Sequence, residues 1–242
     1  MTRTLAVVAA EAADCPRCRL AEGRTQVVFG VGNADADVMF IGEAPGFHED
    51  KQGEPFVGAA GQLLTRMLSE VVGLAREDVY ICNVLKCRPP GNRDPQDDEI
   101  EACTPWLVEQ VSLIQPRVIA TLGNFATKFV LQTAQGITRV RGSTYPWHGR
   151  TVIPTFHPAA ILRGGGETSR QFGEFRADFE LIRDTLRGLE SPPERITVPE
   201  APPPPEPVTA SGAVSSPPSV TVPEPIGVPD AEPAPEEQLE LF

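Results

Sequence analysis

Four short apolar runs constrain this chain more than any other feature. Val38 to Ile41, Val79 to Val84, Val118 to Leu122 and Thr151 to Phe156 are rich in Val, Ile or Phe, and each ends at a Gly, Pro, Asn or His. Between them lie stretches with helical spacing: Gln62 to Val72, Asp97 to Ile114 and Phe125 to Gln132. A last one, Phe172 to Leu189, puts Phe172, Phe175, Phe179, Ile182 and Leu186 on one face. Strands alternating with helices predict an α/β fold, a three-layer α/β/α sandwich around a four-stranded parallel sheet. Sites in such sheets lie beyond the C-terminal strand ends. The segments to watch are therefore Gly42-Glu43-Ala44-Pro45-Gly46, Asn83 to Cys87, Gly123-Asn124 and His157-Pro158-Ala159-Ala160.

The same reading stops near residue 190. Of 26 prolines, 15 fall between Ser191 and Phe242, a stretch with no aromatic residue before Phe242. Such a segment cannot bury enough apolar surface to offset its ordering entropy, so a folded domain over 1–190 and a disordered Pro-rich tail over 191–242 are expected. The tail carries nine acids and one base, so it supplies −8 of the net charge of −12 and leaves the body at −4. The acidity belongs to the tail and does not argue against a nucleic-acid site on the body. No run of 18 apolar residues occurs, and Leu5 to Ala10 is too short and poorly flanked for a signal peptide. A cytoplasmic location without membrane contact follows, and there cysteines are expected to be reduced, ligating or catalytic.

Cys15 and Cys18 form a C-x2-C pair, and Cys87 and Cys103 follow far downstream. Cys82, inside a strand pattern, reads as a small buried hydrophobe. The other four suit a metal site. Zinc more typically uses two close-spaced knuckles, and only one pair has that spacing. An iron–sulfur cluster tolerates one close pair plus two distant ligands.

The order of motifs carries a resemblance. Gly42-Glu43-Ala44-Pro45-Gly46 is followed by Glu49-Asp50, then by Gly53-Glu54-Pro55-Phe56-Val57-Gly58. Asn83-Val84-Leu85-Lys86-Cys87-Arg88-Pro89-Pro90-Gly91-Asn92-Arg93 comes next, then His157-Pro158-Ala159-Ala160. With the four cysteines interleaved, the chain from Cys15 to Leu186 resembles the bacterial family 4 uracil-DNA glycosylases. The resemblance implies the fold of the uracil-DNA glycosylase superfamily, a [4Fe–4S] cluster on Cys15, Cys18, Cys87 and Cys103, and DNA containing uracil as substrate. The expected activity is hydrolysis of the N-glycosidic bond of a flipped uracil, the first step of base excision repair, by a monomer.

Roles follow residue by residue. The Asn83 carboxamide has one acceptor and one donor edge, which match uracil N3–H and O4; cytosine presents the opposite pattern. Phe56 resembles the family's stacking aromatic. His157 can donate to uracil O2 as charge develops on the departing base. Glu43 is the leading candidate to activate water and favour the oxocarbenium-like sugar, with Glu49 second. Better-known relatives carry an Asp where this chain has Ala44, and a Tyr that blocks thymine's methyl where it has Gly46. Gly42, Ala44 and Gly46 are expected to line the substrate site. Leu162 and Arg163, in an expected loop Ile161 to Gly166, are candidates to fill the gap left by the flipped base. Lys86, Arg88, Arg93, Arg139 and Arg141 are candidates for phosphate contacts.

A second function class is a catalytically weak or cross-linking relative. One sister group carries a His-containing basic insert after its second motif and traps DNA covalently. Here Arg88 to Pro95 has no His. Finally, Gln238-Leu239-Glu240-Leu241-Phe242 resembles the bacterial sliding-clamp-binding pentapeptide, in which Gln238, Leu239, Leu241 and Phe242 would be the anchors. The 47 residues before it would span about 35–40 Å as a flexible tether.

Overall fold

The computed structural model describes residues 3–190; the tail and its clamp-type pentapeptide lie outside the described residues. The strands are β1 (Val31–Gly32), β2 (Val38–Gly42), β3 (Tyr80–Asn83), β4 (Val118–Leu122), β5 (Tyr145–Trp147) and β6 (Arg150–Thr155). They form one sheet in the order β1-β3-β2-β4-β6-β5. The four central strands are the four apolar runs, and their three pairings are all parallel. The sheet has six strands, not four: β1 and β5 pair antiparallel on its two edges. Two or three residues are too few for an alternation pattern, which is why the sequence hides them.

The helices are α1 (Leu5–Ala13), α2 (Phe47–Gln52), α3 (Ala59–Met67), α4 (Asp97–Ile114), α5 (Asn124–Leu131), α6 (Ile137–Val140), α7 (Pro158–Arg163) and α8 (Arg170–Glu190). A π-helical turn, Leu68–Val72, continues α3. Alternate residues of each central strand feed opposite layers. Phe40, Ile81, Ala120 and Ile153 pack with Leu64, Met67 and the α8 residues Phe175, Phe179 and Ile182. Met39, Ile41, Tyr80, Ile119 and Val152 pack with Leu107, Val111 and Ile114 of α4 and Ala126 and Val130 of α5. Burying a side chain of this size contributes about 1.5–3 kcal/mol, which fixes the helices on the sheet.

A third apolar cluster lies beside this sandwich. Val8 and Ala12 of α1 meet Leu20, Phe29, Leu85 and Trp106, together with Cys87 and Cys103. Helix α4 begins with Asp97, Asp98 and Glu99 in its first turn, where carboxylates suit the helix dipole, and Glu99 also accepts from the Gln96 N–H at 3.0 Å. One segment departs from expectation. Ile161 to Arg163 is not loop but the end of α7, and Ile161 is fully buried; the chain turns only at Gly164. Among the described residues no helix is long and apolar enough to cross a membrane.

Candidate active site and cysteine centre

The C-terminal ends of the central strands open on a cleft of about 880 Å³, within the range of ligand sites. Each strand delivers one group to it. Glu43 follows β2, Asn83 ends β3, Gly123 follows β4 and His157 follows β6. Backbone bonds fix these ends to one another. Leu85 N–H donates to Glu43 O (3.0 Å), and Gly123 N–H donates to Thr155 O (2.9 Å).

Two glycines let the groups converge. A Cβ on Gly42 would lie 2.3 Å from Asn83 Oδ1 and 2.7 Å from Phe56 Cζ, so only glycine permits this approach. Gly42 thus lies against Asn83 and Phe56, while Ala44 and Gly46 line the cleft itself. Gly123 has φ +90°, and a Cβ there would sit 2.9 Å from His157 Cβ.

Asn83 is 2% exposed and lines the cleft, so its carboxamide can meet a ligand there in a dry environment. The Phe56 ring stacks on His157, with centroids 5.6 Å apart and 28° between planes. Phe56 has φ +54°, a left-handed conformation that costs a bulky residue about 1–3 kcal/mol and marks sites where position outweighs comfort. Its neighbours hold it there. Glu49 Oε1 accepts from the N–H groups of Val57 (3.1 Å) and Gly58 (3.3 Å), and Arg76 donates to Pro55 O (2.5 Å). Glu49 lines the cleft, but these bonds make it an anchor of the Phe56 segment.

His157 Nδ1 accepts from Ala159 N–H at 3.1 Å, so the neutral ring carries its proton on Nε2. Burial lowers its pKa to about 4, with Arg163 adding to the effect, so the imidazole is neutral across the physiological range. Glu43 moves the other way: burial first, then the charge of Asp94, hold its carboxyl above the usual carboxylate range. A neutral donor and a half-buried carboxylate thus share one cleft.

The basic residues divide. Lys86 is 1% exposed and its ammonium donates to Asn83 O (2.6 Å) and Gln110 Oε1 (2.5 Å), so it is no phosphate contact. Arg93 is paired with buried Glu99 and Arg141 with buried Asp178, both through two hydrogen bonds. Arg88 bonds Asn92 Oδ1 (2.7 Å) and covers the Phe47 ring. Arg139 is exposed, Arg163 lines the cleft, and Leu162 beside it is 41% exposed. Sequence reasoning missed Lys128 and Asp94, which also line the cleft. Lys128 stands one helical turn after Asn124, a spacing that could have found it.

Cys15, Cys18, Cys87 and Cys103 line a second cavity, separate from the cleft, between α1, α4 and the segment after β3. Cys82 is not among them and is fully buried in β3. Among the described residues no three His, Cys, Asp or Glu side chains converge as a single ion requires. The four thiols line one small cavity. Three of them accept N–H groups: Cys103 from Lys86 N (3.2 Å), Cys15 from Trp106 Nε1 (3.3 Å) and Cys87 from Arg24 Nη1 (3.6 Å). Four soft sulfurs, three of them with N–H donors directed at them, are a donor set that suits an iron–sulfur group.

The family model of the uracil DNA glycosylase superfamily matches residues 29–180. A type-4 uracil-DNA glycosylase of Sulfurisphaera tokodaii is 46% identical over 196 residues, 78% of this chain and 86% of its own length. The type-4 uracil-DNA glycosylase of Archaeoglobus fulgidus is 50% identical over 190 residues, covering 75% of this chain and 92% of its own. That of Thermotoga maritima is 48% identical over 167 residues, or 68% and 86%.

Proposed function

The chain belongs to the uracil-DNA glycosylase superfamily, in its type-4 branch, and from this we infer that it hydrolyses the N-glycosidic bond of uracil in DNA, releasing the free base for repair. The observation that carries the reading is the convergence of Glu43, Asn83 and His157, each from a different strand end, on one cleft beside Phe56. The reaction needs the base taken out of the stack, identified, and relieved of its bond to the sugar. Asn83 accepts from uracil N3–H and donates to O4. Phe56 supplies an apolar face for the flipped ring. His157 Nε2–H donates to O2 as negative charge gathers on the leaving base; a neutral donor suits this task because it keeps its proton. The Glu43 carboxylate orients the attacking water and favours the cationic sugar. Leu162, exposed next to Arg163, fills the space the base vacates, and Arg88 and Arg163 meet the backbone. One chain supplies every group, so a monomer suffices, and the reading puts it with DNA in the cytoplasm.

Cys15, Cys18, Cys87 and Cys103 hold a [4Fe–4S] cluster in this reading. When bound it supplies a rigid cross-link between the N-terminal segment, the connection after β3 and α4; the bond-breaking groups lie in the other cavity. The test is incubation with a single-stranded oligonucleotide containing one uracil, followed by alkali, using anaerobically purified protein. Strand cleavage at the uracil and about four irons per chain are expected. An uncut strand, or stoichiometric zinc without iron, contradicts the corresponding half of the reading.

The C-terminal Gln238-Leu239-Glu240-Leu241-Phe242 would dock its Leu and Phe anchors in an apolar pocket of a bacterial sliding clamp, raising the local concentration of enzyme on replicated DNA. Deleting these five residues should abolish retention on an immobilised clamp and leave excision from free oligonucleotides unchanged. Equal retention of the truncated protein assigns the tail another purpose.

A further inference from the structure

Lys86 bonds both a cysteine of the four-cysteine cavity and the backbone of a cleft residue. Its backbone N–H donates to Cys103 Sγ (3.2 Å), and the residue lines the four-cysteine cavity. The ammonium then donates to the backbone carbonyl of Asn83 (2.6 Å), whose carboxamide faces the cleft. Gln110 Oε1 takes a second bond and is itself fixed by bonds to Phe29 O (2.8 Å) and Tyr80 Oη (3.0 Å). No carboxylate pairs with Lys86 among the described residues, although it is 1% exposed. A buried cation without an anion is costly. Four thiolates around an iron–sulfur cluster would bring a net negative charge to the neighbouring cavity and supply that partner.

We propose that Lys86 is a positioning residue that couples the four-cysteine centre to base recognition: the filled centre stabilises its ammonium, and the ammonium holds Asn83 where it reads uracil. The proposal rests on the type-4 reading of both sites. Coupling of this kind is reciprocal. If the centre helps to hold Asn83, then occupation of Asn83 by uracil must alter the centre.

The experiment measures the reduction potential of the iron-loaded, full-length protein. One strand carries 2′-fluoro-2′-deoxyuridine, whose glycosidic bond resists hydrolysis. The other is identical but carries 2′-fluoro-2′-deoxycytidine, so the general effect of DNA cancels. The expected result is a shift with the uracil strand relative to the cytosine strand. Lys86→Met, of similar length but uncharged, should retain iron, show a lower potential and lose the uracil-specific shift. Its kcat/KM should fall about 10- to 100-fold, the value of a hydrogen bond to a charged group. Equal potentials with the two strands in the unaltered protein overturn the proposal, even where Lys86→Met does not fold. So does a Lys86→Met protein with unchanged potential and turnover. Absence of iron or of uracil excision in the unaltered protein is a different outcome, which overturns the reading beneath it.

Discussion

Replacing Asn83 by aspartate is expected to lower uracil excision on the order of 10⁴-fold, as sites built to hydrogen-bond a substrate group do when the match is lost. The carboxylate accepts at both oxygens, so it meets uracil O4 with a lone pair where the amide offered a proton. The site is also dry: Asn83 is 2% exposed, and an unmatched polar edge there costs its full desolvation. Cytosine excision should appear only on the acid side, because the protonated carboxyl alone offers an O–H to cytosine N3 and a carbonyl to its amino group. Single-turnover rates on uracil and cytosine oligonucleotides across pH check both statements. Undiminished uracil activity would remove Asn83 from the recognition step.

His157→Ala is expected to slow the chemical step by roughly 10²–10³-fold, the usual loss of one preorganised donor to a developing anion, with DNA binding little changed. The pH behaviour separates this role from that of a cationic histidine. With its pKa lowered to about 4 by burial, His157 is neutral at pH 5 to 8, and protonation would break the bond that Nδ1 accepts from Ala159. The acid limb of kcat should therefore come from Glu43, whose carboxyl is held high by burial and Asp94. That limb should persist in His157→Ala and vanish in Glu43→Gln. Stability carries the matching sign. The unfolded chain takes up the His157 proton near its ordinary 6.5 and the folded chain only near 4, so folding loses free energy as pH falls through that window. In His157→Ala this part of the acid destabilisation should be absent from denaturation curves.

Much of this was readable from the chain. The four apolar runs became the four central strands because a strand buried on both faces is apolar throughout, and the groups just beyond them became the cleft. Helix α4 spans the residues its spacing predicted, since Leu107, Val111 and Ile114 recur at helical intervals against the sheet. What stayed hidden was contact information. Lys86 looks like any basic residue near a motif, and nothing in its neighbours says that Gln110, far along α4, waits for its ammonium. Arg93 and Arg141 likewise seemed free for phosphates until Glu99 and Asp178 folded against them. Glu49 read as a second catalytic acid; the bonds it accepts from Val57 and Gly58 depend on the strained turn at Phe56, which no local pattern announces. The glycines after Arg163 suggested a loop, yet His157 caps α7 through its own ring and Pro158 starts it. The same ring thus starts a helix and faces the cleft, and sequence could suggest only the second.

The central claim is that this site hydrolyses the bond with a water held by Glu43 and releases both products. The most direct measurement is a single turnover on a uracil oligonucleotide in water enriched in heavy oxygen, followed by mass spectrometry of base, strand and protein. Free uracil, heavy oxygen at C1′ of the abasic sugar and an unchanged protein mass are the predicted result. A protein whose mass has grown by that of the abasic strand, or a strand that keeps its uracil, would contradict the account.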